Sequence, residues 1–176
     1  MILLYKGTSL LSRTIEWFNW GDYSHAAFRN EKTGEVIEAW AGGVRLVKNE
    51  WIQHNNDTHI DYFDFIDPLT DYEAHVIWQA LCKEVGKKYD YFGILHFLTR
   101  RGGDDRRKWF CSELVFSKVN PVRTLLNNVP DYKVYPSMLA MPTSLWKVAS
   151  VTGKQRSTDE NIAAMGRQLP EDCPSL

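Results

Sequence analysis

The sequence predicts an α+β fold, and two observations lead to this prediction. The segments before residue 66 are short, apolar and separated by turns, and HIDYFDFID (59–67) alternates apolar with acidic residues as a half-buried strand does. The period then changes, because DYEAHVIWQALCKEVG (71–86) repeats its apolar residues every three or four positions, as in an amphipathic helix. At 176 residues the chain is long enough for one domain with a sizeable core.

The N-terminal part of the chain contains the other predicted strands. ILLY (2–5) has the pattern of a strand, and a helix that Ser12 can cap is predicted to follow it and to end at Gly21-Asp22. YSHAAFRNEKTGEVIEAW (23–40) places two apolar strands around a polar, glycine-containing turn, which predicts a β-hairpin. AGGVRLVKNEW (41–51) adds a turn and a third short strand.

The amphipathic helix is the most strongly patterned element. Asp71 can cap its start, Gly86 ends it, and Cys82 lies beside its apolar stripe, where a core position is expected. The apolar and aromatic segment 87–101 predicts a further short helix. A charged loop, RRGGDDRRK (100–108), follows that segment.

The C-terminal part begins with a second strong helix. KWFCSELVFS (108–117) has helical spacing, and the helix is predicted to end at Asn120-Pro121. The following segment, 131–150, predicts a strand, a proline turn and a last strand or helix. From Val151 the sequence becomes polar and weakly patterned, with one predicted helical segment over 159–167. We therefore predict a catalytic domain over residues 1–150 and a polar extension over 151–176.

Charge and composition exclude several classes of function. A formal net charge of −1 gives no global field that would attract nucleic acid or an anionic membrane. Cys82, Cys111 and Cys173 are odd in number and far apart, so neither a metal site nor a disulfide framework is predicted. Residues 1–11 lack the long apolar core of a signal peptide, and no run approaches the ~18 apolar residues of a membrane span. We expect a cytoplasmic protein with no metal, no organic cofactor, no nucleic-acid partner and no integral membrane association.

Cys111 is the strongest candidate for a catalytic nucleophile. It lies in the first turn of the predicted helix, where unpaired backbone N–H groups and the positive end of the helix dipole favour thiolate over thiol. The loop before it holds five basic and two acidic residues. Such a loop either attracts carboxylate- or phosphate-bearing substrates or is simply solvated. For Cys111 itself, the alternative is a small hydrophobic residue of the core.

A cysteine nucleophile needs a general base, and His25 is the best candidate. It lies inside the otherwise apolar strand SHAAF (24–28), where a polar ring requires a partner. The other histidines fit less well: His54 and His59 in a polar segment where solvation is expected, His75 beside the helical stripe, and His96 in an aromatic run.

Glu38 is the candidate that would orient His25. If the hairpin loop holds an even number of residues, such as Asn30–Thr33 or Glu31–Gly34, the two side chains share a face and lie directly or diagonally opposite. An odd loop places them on opposite faces. In the even case Glu38 would stabilise the imidazolium, while His25 would take the proton of Cys111 and later deliver it to the leaving group.

Four motifs resemble the permuted branch of the NlpC-type papain-like hydrolases, the YiiX/YebB-like group related to lecithin retinol acyltransferase. The motifs are YSHAAF, VIEAW followed by GGV, GKKYDYFG and FCSELV, and YPSMLAMPTSLWKV is similar to the family's closing segment. The likeness spans roughly residues 1–150, and the histidine precedes the cysteine as in permuted members. The loop 100–108 and the extension after Val151 are not part of the family pattern, and the signal peptide of secreted members is missing.

The resemblance implies a circularly permuted papain-like fold, with an antiparallel sheet or small barrel packed against helices. It places Cys111 at a helix start facing His25, with Glu38 as the third member, and implies thiol-based hydrolysis or transfer through an acyl-enzyme. The candidate substrate-binding residues are Tyr89, Tyr91, Ser24 and Trp109. For the two tyrosines, packing against the cysteine helix is an equally good interpretation.

The leading hypothesis is a cysteine amidase that acts on a small peptide-like substrate, such as a peptidoglycan fragment. One alternative is a lipid-directed acyltransferase or phospholipase of the lecithin retinol acyltransferase type, and another is a non-catalytic binding module. The sequence leaves open the scissile bond, the choice between amide and ester, the oligomeric state and the source.

Overall fold

The computed structural model describes residues 1–7, 21–90 and 108–153. Its main element is a six-stranded sheet. Its six strands are β1 (Ile2–Lys6), β2 (His25–Arg29), β3 (Val36–Trp40), β4 (Gly43–Val47), β5 (His59–Phe65) and β8 (Leu145–Thr152). Two short strands, β6 (Lys88–Tyr89) and β7 (Lys108–Trp109), lie outside this sheet. The sheet has the order β4-β3-β2-β1-β5-β8 with every neighbouring pair antiparallel, and β6 and β7 form a separate parallel pair. The predicted α+β class is therefore confirmed for the described residues.

Strand β4 forms one edge of the sheet, and it is held by a tight turn to β3 and by a close approach to the segment around Lys87. β3 and β4 are joined by the two-residue turn Ala41-Gly42, since Trp40 pairs with Gly43. Gly43 has a φ of 126°, and a Cβ at this position would lie 2.5 Å from the carbonyl oxygen of Lys87. Glycine is therefore required for β4 to approach the segment that follows the first helix.

The amphipathic segment forms helix α1 (Asp71–Cys82). Its cap is Thr70 rather than the predicted Asp71: the Thr70 hydroxyl accepts from the Glu73 N–H, and the Glu73 carboxylate accepts from the Thr70 N–H. This reciprocal capping box satisfies two backbone donors at the helix start. The helix also ends earlier than predicted, at Cys82, and Gly86 with a φ of 89° lies in the turns beyond it.

Helix α2 (Cys111–Val119) begins at the predicted nucleophile. The Phe110 N–H donates to the Glu113 carboxylate at 3.2 Å, and the Ser112 hydroxyl donates to the Val134 carbonyl at 2.6 Å. The first bond caps the start of the helix, and the second attaches its first turn to the segment around Val134. Asn120 caps its C-terminus, one residue before Pro121, as the sequence predicts.

The core lies on both faces of the sheet. One cluster joins the helices to alternate strand residues, and it includes Ile2, Leu4, Phe28, Ile77, Leu81, Leu114 and Val115. The opposite face carries a smaller cluster, formed by Leu3, Tyr5, Ala27, Val36, Trp51, Ile60 and Tyr62. Because side chains alternate along a strand, residues of β2 and β3 with the parity of Ala27 and Val36 face this smaller cluster.

Two predictions about the remaining segments need correction. Residues 131–140 form two short 3-10 helices, Asp131–Lys133 and Pro136–Ala140, where a strand was expected, because Pro136 begins the second of them. Cys82 is buried as predicted, but it is disulfide-bonded, whereas no disulfide was expected. The last element is a strand, β8, which was one of the two possibilities left open.

Several predictions fall outside the described residues. They concern the capped helix before Gly21, most of the helix and charged loop between residues 87 and 108, and nearly all of the extension over 151–176. His96 and Tyr91 belong to this group. Among the described helices, none has the length and apolar character needed to cross a membrane.

Candidate active site

The register of β2 and β3 brings His25 and Glu38 together. Ala27 pairs with Glu38 and Arg29 with Val36, so the connecting loop is even, as the favourable alternative required. His25 therefore lies diagonally across from Glu38 on the same face. Its Nε2 atom is 2.6 Å from Oε2 of Glu38, a short hydrogen bond between two buried side chains.

Arg45 holds the other carboxylate oxygen of Glu38. The two residues are directly opposite in the β3–β4 register, and the Arg45 Nε and Nη2 atoms donate to Oε1 at 2.9 and 2.6 Å. These two charge-assisted bonds to one oxygen hold Oε1 in place and compensate the charge of the carboxylate. Burial alone would raise the pKa of Glu38, but the hydrogen bond from His25 and the nearby His54 hold that pKa well below its usual range.

His54 completes the cluster around Glu38. Its Nε2 lies 3.7 Å from Oε2 of Glu38, and this buried nitrogen has no hydrogen-bond partner among the described residues. The ring stacks on Tyr5 with centroids 4.4 Å apart and meets the edge of Trp40 at 4.9 Å. Burial lowers the pKa of His54 despite the attraction of Glu38, so the ring is neutral near pH 7.

The expectation that His54 is solvated is therefore wrong. The segment after Trp51 turns back toward the sheet, and Gln53 adopts a φ of 65° in that turn. The Arg45 guanidinium fastens the turn through the side chain of Gln53 and the carbonyl of Ile52. His59, in contrast, lies on β5 with about a third of its side chain exposed, where it bonds to Asp61.

Cys111 begins α2, which packs against β2 and β3, and it lies close to His25, the first residue of β2. Its side chain is buried and belongs to no disulfide, and its proximity to His25 is one of the causes that raise the pKa of that imidazole. Because Nε2 of His25 already faces Glu38, Nδ1 is the ring nitrogen left for the sulfur. His25 thus lies between a cysteine and a carboxylate.

This position determines the charge of His25. Burial by itself would lower the pKa of the imidazole, because the charged ring loses its hydration. The nearby Cys111 and the hydrogen bond with Glu38 outweigh burial and raise the pKa of His25 to about 9. The ring is therefore an imidazolium at neutral pH, which is the form that pairs with a thiolate.

The predicted substrate-binding residues lie in different environments. Tyr89 packs its ring 6.1 Å from Phe110, next to the start of α2, and Trp109 pairs with Tyr89 in the β6–β7 ladder. The Trp109 indole is buried and donates to Glu84 at 2.6 Å. Ser24 bonds to the backbone of Tyr5 and Gly7, so its hydroxyl joins elements rather than facing His25. Tyr91 lies outside the described residues.

A cavity of about 360 Å³ opens at the other end of β2. Its lining includes Arg29, Asp64, His75 and Trp78 and contains none of the predicted site residues. The candidate site is thus defined by its side-chain chemistry and not by this cavity.

Sequence reasoning missed two members of the cluster, Arg45 and His54. A signal for Arg45 was present, because a two-residue turn at Ala41-Gly42 places Glu38 directly opposite Arg45. No comparable signal exists for His54, since its position depends on a loop that folds back over the sheet.

Comparisons with known proteins support the fold. No protein-family model and no curated protein matches the sequence. A solved structure does match, described as the metalloprotein YiiX from Escherichia coli O157:H7, with a TM-score of 0.64 and 20% identity over 86% of this chain and 96% of that chain. The two chains share a fold. The predicted likeness to YiiX is confirmed at this level, while the permuted papain-like assignment and the relation to lecithin retinol acyltransferase stay predictions.

Proposed function

We propose that the protein is a cysteine hydrolase in which Cys111 is the nucleophile, His25 the acid and base, and Glu38 the group that orients His25. One observation carries this proposal: a buried imidazole bonds to a carboxylate and lies beside a buried cysteine at a helix start. The thiolate, rather than the thiol, is the nucleophile, and the imidazolium beside it favours that form.

The geometry supports acyl transfer in two steps. The Cys111 thiolate would attack the carbonyl carbon of the substrate, and the backbone N–H groups of the first turn of α2 would stabilise the negative oxygen. His25 would then give its Nδ1 proton to the leaving group as the carbon–nitrogen bond breaks. In the second step the neutral ring would take a proton from water, which attacks the acyl-enzyme and releases the thiolate.

Glu38 and Arg45 would keep this ring in place throughout. Glu38 accepts from Nε2, which leaves Nδ1 to exchange the proton with substrate and water. Arg45 binds the other oxygen of Glu38, so the carboxylate cannot turn away from His25. We call Arg45 a positioning residue because it acts through Glu38.

The proposed substrate is a small peptide-like amide, such as a peptidoglycan fragment. This choice follows the resemblance of the sequence motifs, since the described contacts involve no substrate. Ester cleavage or acyl transfer on a lipid would use the same thiol, so the test must include both kinds of bond.

The test is hydrolysis of a panel of peptide amides, peptidoglycan fragments and lipid esters by the wild-type chain, Cys111→Ala and the control His75→Ala. His75 is exposed on α1 and outside the cluster. We expect turnover in the wild type and the control and none in Cys111→Ala, with circular dichroism unchanged. Full activity of Cys111→Ala would refute the proposal, and turnover restricted to lipid esters would replace amidase by lipid-directed chemistry. Absence of turnover with an unreactive Cys111 would favour a binding module.

A metal ion is a second candidate component of this site, because YiiX is described as a metalloprotein. His25, Glu38 and His54 offer ligand atoms that lie within 4.8 Å of one another. The buried Nε2 of His54, which has no hydrogen-bond partner within residues 1–7, 21–90 and 108–153, also fits such a group. A zinc-class ion held there would act as a Lewis acid.

A further inference from the structure

We propose that a divalent transition-metal ion of the zinc class binds to His25, Glu38 and His54 and thereby competes with the thiol chemistry for Nε2 of His25. The metal site stands on the cluster geometry alone. The competition rests on the proposed function, because it assumes that Nε2–H of His25 bonds to Glu38 while Nδ1 serves Cys111 and the leaving group.

The donor set fits zinc. Two imidazoles and one carboxylate are a ligand set of catalytic zinc sites, which leave a fourth position open. Tetrahedral zinc with bonds of ~2.0–2.1 Å holds neighbouring ligand atoms roughly 3.3 Å apart. His54 Nε2 and Glu38 Oε2 are already 3.7 Å apart, and His25 Nε2 lies 2.6 Å from the same oxygen. The second pair must therefore open by less than roughly 1 Å to admit the ion.

His54 is the observation that points to a ligand. Only 6% of its side chain is exposed, yet Nε2 has no hydrogen-bond partner among the described residues. A buried polar atom left without a partner lowers stability, so its retention requires a reason. The stack on Tyr5 fixes the ring so that this nitrogen faces Glu38. A metal ion would satisfy it.

Arg45 bonds the carboxylate of Glu38 on the side away from the two histidines. Of the two carboxylate oxygens of Glu38, Arg45 bonds Oε1 in the described contacts. Oε2 is therefore left to face the two histidines. Outer partners of this kind orient the ligands of metal sites. Its positive charge also repels a cation, so we expect weaker binding than at a site without a guanidinium.

The competition follows from one shared atom. Nε2 of His25 can carry the proton that bonds to Glu38 or can coordinate the metal, but it cannot do both. On binding, the Nε2–H bond breaks, the proton leaves to solvent, and the nitrogen lone pair forms the bond to the metal. His25 would keep its Nδ1 proton, because losing it would create an imidazolate, and it could no longer protonate a leaving group.

The first experiment is a calorimetric titration of the metal-free, full-length chain with Zn²⁺. We expect one Zn²⁺ per chain in the wild type, in Cys111→Ser and in the control His75→Gln. His54→Phe keeps a ring on Tyr5 but removes the donor, and it should weaken binding by about tenfold or more. His54→Gln is the second variant, in case the Phe variant does not fold.

Three results would overturn the metal site: no zinc binding to the wild type, binding that is unchanged in both folded His54 variants, or binding that is lost in Cys111→Ser. The last result would assign zinc to the cysteine instead.

The competition is read by nitrogen NMR of His25, which needs no substrate. Zn²⁺ should convert Nε2 from a protonated to a metal-bound nitrogen, and a retained Nε2–H in the zinc complex would overturn the competition. With a substrate in hand, saturating Zn²⁺ should stop turnover while iodoacetamide still alkylates Cys111. If the metal-free chain has no activity on any substrate, the proposed function fails, and titration and NMR still decide the metal site.

Discussion

Two carboxylates are buried in the sheet, Glu38 on β3 and Asp61 on β5, and their surroundings differ in kind. Asp61 is fully buried and has five partners, among which His59 and Ser150 also bond to each other: Tyr23, His59, Ser150, Lys6 and Lys147. Glu38 is about equally buried, but its partner His25 lies beside Cys111, and His54 faces it with a nitrogen that has no hydrogen-bond partner in the described part of the chain. Burial of an acid is therefore no mark of function. The distinguishing feature is the imidazole: His25 is buried beside a buried cysteine at a helix start, whereas His59 is about one-third exposed and contacts a serine.

The largest expected effect is on the alkylation rate of Cys111, which should depend on the Glu38 cluster and not on the Asp61 cluster. His25→Ala should slow the alkylation of Cys111 by iodoacetamide about tenfold or more near pH 7, since the imidazolium no longer stabilises the thiolate. Asp61→Asn should leave that rate unchanged. Peptide mass spectrometry distinguishes Cys111 from the other two cysteines. Equal rates in the wild type and in His25→Ala would mean that the ion pair does not exist.

The next effect is on the free energy of unfolding, which should fall by similar amounts when either carboxylate is removed. Glu38→Ala leaves Arg45 and an imidazolium without their carboxylate, and we expect a loss of about 3 kcal/mol in the free energy of unfolding. Asp61→Ala should cost a similar amount, about 2–3 kcal/mol, because it leaves buried hydroxyl donors unpaired. Urea denaturation measures both. A loss well below 1 kcal/mol for Glu38→Ala would show that its contacts are not maintained in solution.

The smallest expected effect is the pH dependence of stability. The folded-state pKa of His25 is raised from 6.5 to about 9, so the protonated ring stabilises the fold. This contribution is fully present below the unfolded value and is lost as the pH rises through about 9. The urea midpoint of the wild type should therefore fall over that interval, and the fall should be smaller in His25→Ala. An identical pH profile in the two proteins would contradict the raised pKa.

The sequence predicted the parts of the site that depend on local rules. Alternation along β2 and β3, with an even loop between them, was enough to pair His25 with Glu38, and helix-start patterning was enough to place Cys111 at the first residue of α2. A one-residue slip would have separated the first pair, and for that reason both parities had to stay open.

The parts that failed depend on long-range packing. His54 looks solvated in a polar segment, and only the return of that segment over Tyr5 and Trp40 buries it. The predicted start of α1 was off by one residue for a local reason, since Thr70 and Glu73 form a capping box, and the helix ends four residues before Gly86.

The spacing of the site along the chain has a consequence for how it assembles. His25, Glu38 and Arg45 come from three strands joined by short turns, whereas Cys111 joins them from far along the sequence. Contacts between near neighbours close small loops and form at low entropic cost, while distant ones come later. We expect the imidazole and its carboxylate to meet first during refolding, and the sulfur to become protected from alkylation only when α2 docks. Cys111 is thus most vulnerable to oxidation on a nascent chain, before α2 packs against the sheet.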